Sequence, residues 1–216
     1  MEFLSFIQTR QAQLALAIWE HIQLSVIALL LAVVVGVIVG ILLTRTPQIA
    51  STVIGTASVI QTIPSLALLG FMIPLLGIGM VPAIVALFLY SLLPILRNTY
   101  TGIQGVDSSL IEAGVGMGMT GSQVLYMVEL PLALPVIMAG IRTATVTIIG
   151  VATLASLIGA GGLGDLIFGG IAMANNYMIF AGAIPAAILA LLSDALLARV
   201  ESKLTPINTP EQGGGA

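Results

Sequence analysis

Long apolar stretches with almost no charge, separated by short polar breaks, constrain this chain more than any other feature. A helix needs about 20 mostly apolar residues to cross the hydrocarbon core of a bilayer. Stretches of that kind recur at roughly 22–43, 54–76, 81–96, 132–158 and 179–197. Lipid offers no partner to an open backbone N–H or C=O, so each stretch is predicted to be a transmembrane helix. The fold class expected is all-α, a polytopic membrane protein with five transmembrane helices. A soluble alternative fails on surface chemistry: of 216 residues 58% are hydrophobic, and six Lys/Arg with nine Asp/Glu cannot clothe a core of that size.

The same composition removes several functions. A net charge of −3 with no cluster of Lys and Arg excludes nucleic acid as a partner, because phosphate binding requires grouped cations. The chain has no Cys and one histidine, His21, so thiolate sites, Cys nucleophiles and a zinc centre are not expected, and no metal site is assigned. No Gly-x-x-x-x-Gly-Lys-Ser/Thr loop is present to cradle phosphates, so ATP chemistry is not expected in this chain.

Arg45, Arg97, Arg199 and Lys203 fall at the ends of stretches that share one side when the C-terminus is placed in the cytoplasm, leaving Arg10 outside. Cations are retained on the cytoplasmic side, so the expected topology is N-terminus outside, C-terminus cytoplasmic. Residues 1–21 then form an external N-terminal segment. It mixes Glu2, Arg10, Glu20 and His21 among apolar residues, unlike a cleaved signal, and Trp19 and His21 read as interfacial anchors. Residues 22–204 form the transmembrane domain, and 205–216, with two prolines and a Gly run, reads as a flexible tail. Prolines 64, 74, 82, 94 and 135, with Gly36, Gly40, Gly140 and Gly150, predict kinks and close helix crossings. There is no fixed-period internal repeat of the kind that builds secondary transporters.

The cytoplasmic segment 97–131 is long for a membrane-protein loop and carries Asp107, Glu112 and Glu129. Within it, Glu112, Ala113 and Gly114 are followed after three residues by Gly118 and, nine residues later, by Val128-Glu-Leu-Pro131. Ser108 or Ser109 is the expected cap of a short helix, with Glu112 in its first turn and Gly118 at its end. Gly114, Gly116, Gly118 and Gly121 would bare its backbone to close approach by another protein.

This pattern resembles the cytoplasmic signature of ABC importer permeases: Glu-Ala-Ala, three residues, Gly, nine residues, Ile-x-Leu-Pro. Glu112, Ala113, Gly118, Leu130 and Pro131 match at the family spacing, while Gly114 replaces the second Ala and Val128 the Ile. The resemblance runs from about residue 21 to 206. It is strongest with permeases for glycine betaine, carnitine and choline, through Thr44-Arg-Thr-Pro47, Gln61-Thr-Ile-Pro-Ser65, Ile73-Pro-Leu-Leu-Gly77, Pro82-Ala-Ile-Val-Ala-Leu-Phe88, Leu93-Pro-Ile-Leu-Arg-Asn-Thr-Tyr-Thr-Gly102 and Gly159-Ala-Gly-Gly-Leu-Gly-Asp165. The last stretch is shared with methionine permeases.

The resemblance implies a type I importer transmembrane domain in a bacterial cell membrane, forming half of a translocation path. Its implied partners are two cytoplasmic ABC ATPases holding ATP and Mg, a second permease chain, identical or homologous, and an extracytoplasmic substrate-binding protein. The 97–131 segment would supply the coupling helix, with Glu112 as its charged contact. The solutes implied are quaternary ammonium osmoprotectants, with methionine or another amino acid as the alternative. An intramembrane enzyme, or a channel working without an ATPase, would leave the coupling-helix spacing without a purpose.

Three positions stand apart from the motif. Arg142, inside the fourth stretch, either snorkels to the interface or faces an internal cavity or pairs with Asp194. Asp165 closes a glycine-rich outer loop, where it reads first as a helix N-cap and second as a contact for the binding protein. Tyr90, Tyr100, Tyr126 and Tyr177 are cation–π donors in principle but fall in different elements.

Overall fold

The computed structural model describes residues 2–204; the expected tail 205–216 lies outside the described residues. Among the described residues every regular element is helical: α1 (Glu2–Thr9), α2 (Gln11–Arg45), α3 (Pro47–Thr62), α4 (Ser65–Leu76), α5 (Met80–Gln104), α6 (Ser108–Gly116), α7 (Gly121–Val124), a π-helical turn (Leu125–Glu129), α8 (Leu130–Ala155), a 3-10 turn (Ser156–Ile158), α9 (Leu163–Ala172) and α10 (Asn176–Leu204).

Four helical runs are long and apolar enough to cross a membrane: Gln11–Arg45, Met80–Gln104, Gly121–Ile158 and Asn176–Leu204. The second expected stretch is instead broken into α3 and α4, which meet at 98°. Together they still carry the chain from one end of the bundle to the other. Arg45, just before α3, bonds Glu129 at the base of α8, whereas the Gly79 N–H, just after α4, donates to the Ile158 carbonyl at its far end. Five crossings result.

The break has a chemical cause. Pro64 has no N–H to continue the ladder and pushes Ile63 into an extended conformation (φ −66°, ψ 127°). The opened Ile63 carbonyl accepts a hydrogen bond from the Tyr90 hydroxyl at 2.8 Å, so the break is sealed within protein, as irregular backbone at membrane depth requires. Tyr90, a cation–π candidate in the sequence, is thereby a structural hydrogen-bond donor.

Lipid gives little hydrophobic incentive for helices to associate, so close backbone approach has to supply the packing. The α2–α5–α8 core is built that way, with Ala28, Ala32, Ala83, Ala86, Ala144 and Ala152 all buried. At the α5–α8 crossing, a Cβ on Gly140 would sit 2.7 Å from the Pro94 carbonyl oxygen and 2.7 Å from Asn98 Cβ. Gly36 and Gly40 of α2 likewise lie against Ile95 and Thr99, while Gly150 has open space around it and marks no crossing.

The external segment expected at 1–21 is not separate from the first span. α2 begins at Gln11 and its 35 residues extend about 52 Å at 1.5 Å per residue, well past a bilayer's thickness. α1 folds back against α10: Phe3 and Phe6 lie 6.3 Å from the Tyr177 ring, and the Tyr177 hydroxyl donates to Glu2 at 2.7 Å. Trp19 is exposed as an anchor would be, but His21 is not an interfacial residue. It is wholly buried, its Nε2 donating to the Ile149 carbonyl at 3.1 Å.

Candidate coupling site and the membrane-embedded ion cluster

The segment between α5 and α8 forms a knob at the end of the bundle that carries Arg45. Asp107, rather than Ser108 or Ser109, caps α6: its carboxylate accepts the Ser109 N–H at 2.9 Å. Those hydrogen bonds from Ser109 hold the Asp107 carboxyl below the ordinary carboxylate range. Because the helix begins earlier than expected, Glu112 lies beyond the first turn, and it is exposed.

Gly118 ends α6 as expected. With φ +86° it donates to the Val115 carbonyl at 2.9 Å, and Met119 donates to the Gly114 carbonyl at 3.1 Å, a Schellman closure that a Cβ at Gly118 would strain. Gly114 does not bare the surface. It is buried, and a Cβ there would stand 3.3 Å from the Met119 sulfur and 3.7 Å from Val124. Gly116, Gly118 and Gly121 have open space around them.

The chain returns through Thr120, whose capping box with Gln123 starts α7. α7, the π turn and α8 then form one continuous helix, so Leu130 and Pro131, expected at the end of a loop, are half-buried within the root of the fourth span. Pro131 has no N–H to give to Met127 and its ring crowds that carbonyl. The helix widens by one residue just below it, with the Leu130 N–H reaching back to Leu125.

Two features of this site were not anticipated in the sequence. Glu129, expected on a polar loop, is buried, and Arg45 at the end of α2 clamps it: Nη1 donates to Oε1 at 3.3 Å and Nη2 to Oε2. That fork fastens the base of the knob to α2. The second feature is a set of exposed apolar side chains, Leu110, Val115 and Met117 along α6 and its C-cap and Tyr126 and Met127 on the π turn. Apolar residues scattered through a hydrophilic loop were the available signal, and large exposed patches of this type mark protein contacts.

Higher in the bundle, Arg142 of α8 neither snorkels nor stands alone. Its Nε and Nη2 donate to the two oxygens of Asp194 on α10 at 2.8 and 3.0 Å, and its Nη1 donates to Glu201 at 3.1 Å. Arg142 and Asp194 also line a groove of about 490 Å³ with Ala139, Thr143, Val146 and Thr147.

At the other end, Asp165 is not the N-cap of α9. Gly162 (φ +87°) is, and the carboxylate of Glu20 on α2 accepts its N–H at 2.9 Å. Asp165 sits in the first turn, where burial and the nearby Glu20 charge raise its pKa. Tyr90 and Tyr177 bond within the protein and do not join Tyr100 and Tyr126 in a common site. Among the described residues no group of three or more His, Asp or Glu is placed to hold a metal ion.

Residues 32–206 match the family described as the binding-protein-dependent transport system inner membrane component. The chain belongs to this family. Relatives agree along nearly its whole length. It is 57% identical over 201 residues to the choline transport system permease protein OpuBB of Bacillus subtilis, covering 93% of each chain. It is 52% identical over 212 residues to the carnitine transport permease protein OpuCB of Listeria monocytogenes, covering 97% of each. A solved structure of the MetNI methionine ABC transporter in inward-facing conformations superposes with a TM-score of 0.82 at 26% identity, over 92% of this chain and 99% of that one. The fold is therefore the type I ABC importer transmembrane domain. The protein is a multi-pass membrane permease subunit, non-catalytic itself, of a system that also comprises an ATPase and a substrate-binding protein.

Proposed function

We propose that this chain forms half of the translocation path of an importer for quaternary ammonium osmoprotectants: glycine betaine, carnitine and choline. The solute assignment is supported by the relatives of over 50% identity named for choline, carnitine and glycine betaine transport, against 26% for the methionine transporter. A single five-crossing chain hardly encloses a path. It pairs with a second permease, identical or homologous, above two cytoplasmic ATPases that hold the ATP and Mg. The N-terminus lies outside and the C-terminus in the cytoplasm of a bacterial cell membrane, with 22–204 as the permease domain.

The observation that carries the coupling role is the exposure of Glu112 and Ala113 amid apolar Leu110, Val115 and Met117 on a knob fastened to the span by Gly118, Leu130 and Pro131. A groove on the ATPase would take the apolar side chains and offer Glu112 a cation. Closure of the ATPases around ATP would pull the knob and, through the continuous α7–α8 helix, tilt the fourth span. At the opposite end, the α9 loop with Asp165 is the docking point for the binding protein.

Uptake of labelled glycine betaine, choline and carnitine at high osmolarity, with methionine as control, tests the solute in cells carrying or lacking the chain. Loss of methionine uptake alone would overturn the assignment. Glu112→Arg should abolish uptake while leaving membrane insertion normal; undiminished uptake would overturn the coupling role.

A further inference from the structure

We propose that the groove beside Arg142 and Asp194 is a transit subsite for a zwitterion, in which Arg142 receives the solute carboxylate and Asp194 the quaternary ammonium. The proposal rests on the osmoprotectant reading above and specifies how the permease itself handles that solute.

Arg142 lies 13 residues above Glu129, about 20 Å along the helix at 1.5 Å per residue, in the cytoplasmic half of the span, from where it reaches Glu201 near the end of α10. The side chains of Arg142 and Asp194 are 32% and 38% exposed on the surface of the chain. Ionised groups facing hydrocarbon at that depth are expensive, and such residues face a water-filled path or protein. The groove they line, at about 490 Å³, has room for a small solute and its water.

The lining then selects the occupant. The hydroxyls of Thr143 and Thr147 each donate to the carbonyl four residues back, at 2.9 and 2.8 Å. Their donors are consumed, leaving methyl groups and oxygen lone pairs beside Ala139 and Val146. An arriving solute finds no free hydroxyl donor on this wall. A quaternary ammonium needs none: it has no N–H, presents methyl groups, and requires only a nearby negative charge.

Arg142 supplies the other pole. A guanidinium carries five N–H donors. Three are engaged with Asp194 and Glu201, which leaves one on each η nitrogen for an arriving carboxylate. An Arg–Asp pair placed side by side is thus complementary to a solute carrying both charges on one small skeleton. It is only half complementary to choline, which lacks the carboxylate.

The test uses the whole transporter in proteoliposomes, with its binding protein, measuring KM and kcat of uptake for glycine betaine, carnitine and choline. Arg142→Lys keeps the charge but removes the fork, and should lower kcat/KM for the two carboxylates by about tenfold relative to choline. Asp194→Asn should depress choline along with the others. Equal losses for all three solutes in Arg142→Lys, or no loss, would overturn the proposal, since a pair that merely ties α8 to α10 cannot distinguish solutes. Should Arg142→Lys fail to assemble, Thr143→Phe fills the groove from a lipid-tolerant side chain. It should abolish uptake of all three with assembly intact, and unchanged uptake would equally refute the subsite. Failure of the wild-type transporter to take up any of the three would instead remove the osmoprotectant reading itself.

Discussion

Replacing Arg45 by methionine and, separately, Glu129 by methionine should produce unequal damage. Glu129 is buried, whereas 49% of the Arg45 side chain is exposed at the end of α2. Removing the arginine strands a carboxylate away from water. Breaking a fully buried pair costs about 3–5 kcal/mol, and allowing for the half-exposed fork the expected cost is nearer ~2 kcal/mol. Removing the glutamate leaves a cation that can swing to water and headgroups, at a cost of roughly 0–1 kcal/mol. The double variant should resemble Glu129→Met alone, because the stranded charge is gone. Thermal unfolding of the purified transporter would read this as a midpoint about 4 °C or more lower for Arg45→Met than for either other variant. The bridge also fastens the knob to α2, so Arg45→Met should lower solute carried per ATP hydrolysed more than it lowers hydrolysis. Equal stability losses in the two single variants, or a double variant as damaged as Arg45→Met, would refute the assignment of a buried carboxylate held by one partly exposed partner.

Gly140→Leu places a Cβ 2.7 Å from the Pro94 carbonyl and should destabilise the α5–α8 crossing by about 3 kcal/mol, read as loss of folded protein in detergent extracts. Asp107→Ala should weaken α6 while Asp107→Asn stays near neutral, measured as binding of the ATPase to the permease. Since hydrogen bonding depresses the folded pKa of Asp107, its contribution is fully present above the unfolded value and disappears only as pH falls through the lower folded one. Binding should therefore be flat from pH 8 to pH 5, whatever the Asp107 state below that range. Glu20→Gln keeps an acceptor for the Gly162 N–H and should preserve the outer loop, whereas Glu20→Ala should expose that loop to proteolysis.

How much of this was legible in the sequence depended on whether the determining interaction was local. The number of crossings and the end of α6 at Gly118 follow from hydropathy and from one residue's tolerance of positive φ, both properties of short windows. The cap of α6 was expected at Ser108 or Ser109 because Asp107, Ser108 and Ser109 are all competent N-caps, and in the structure it is Asp107 that accepts the Ser109 N–H. That shift moved Glu112 out of the first turn. Glu129 was read as a loop acid because nothing within its own window reveals an arginine 84 positions away. Glu20 and His21 escaped for the same reason, their partners being Gly162 and Ile149.

The two halves of the coupling motif illustrate how one spacing serves two physical demands. Glu112 and Ala113 are exposed, where the proposed coupling role needs them, while Gly118 ends α6 and Leu130 and Pro131 lie in the root of the span. Gly114 belongs with the second group, since its surroundings are Met119 and Val124 rather than solvent. An alanine at that position would bring its Cβ to 3.3 Å from a flexible methionine sulfur, a contact that small adjustment relieves. The exchange of glycine for the alanine of the family signature is therefore nearly free in packing terms, and it leaves the outward, partner-facing residues of the knob untouched. On the coupling role proposed for this knob, a substitution on the outward side, at Ala113, would carry no such internal compensation, because whatever it adds would have to fit against the ATPase.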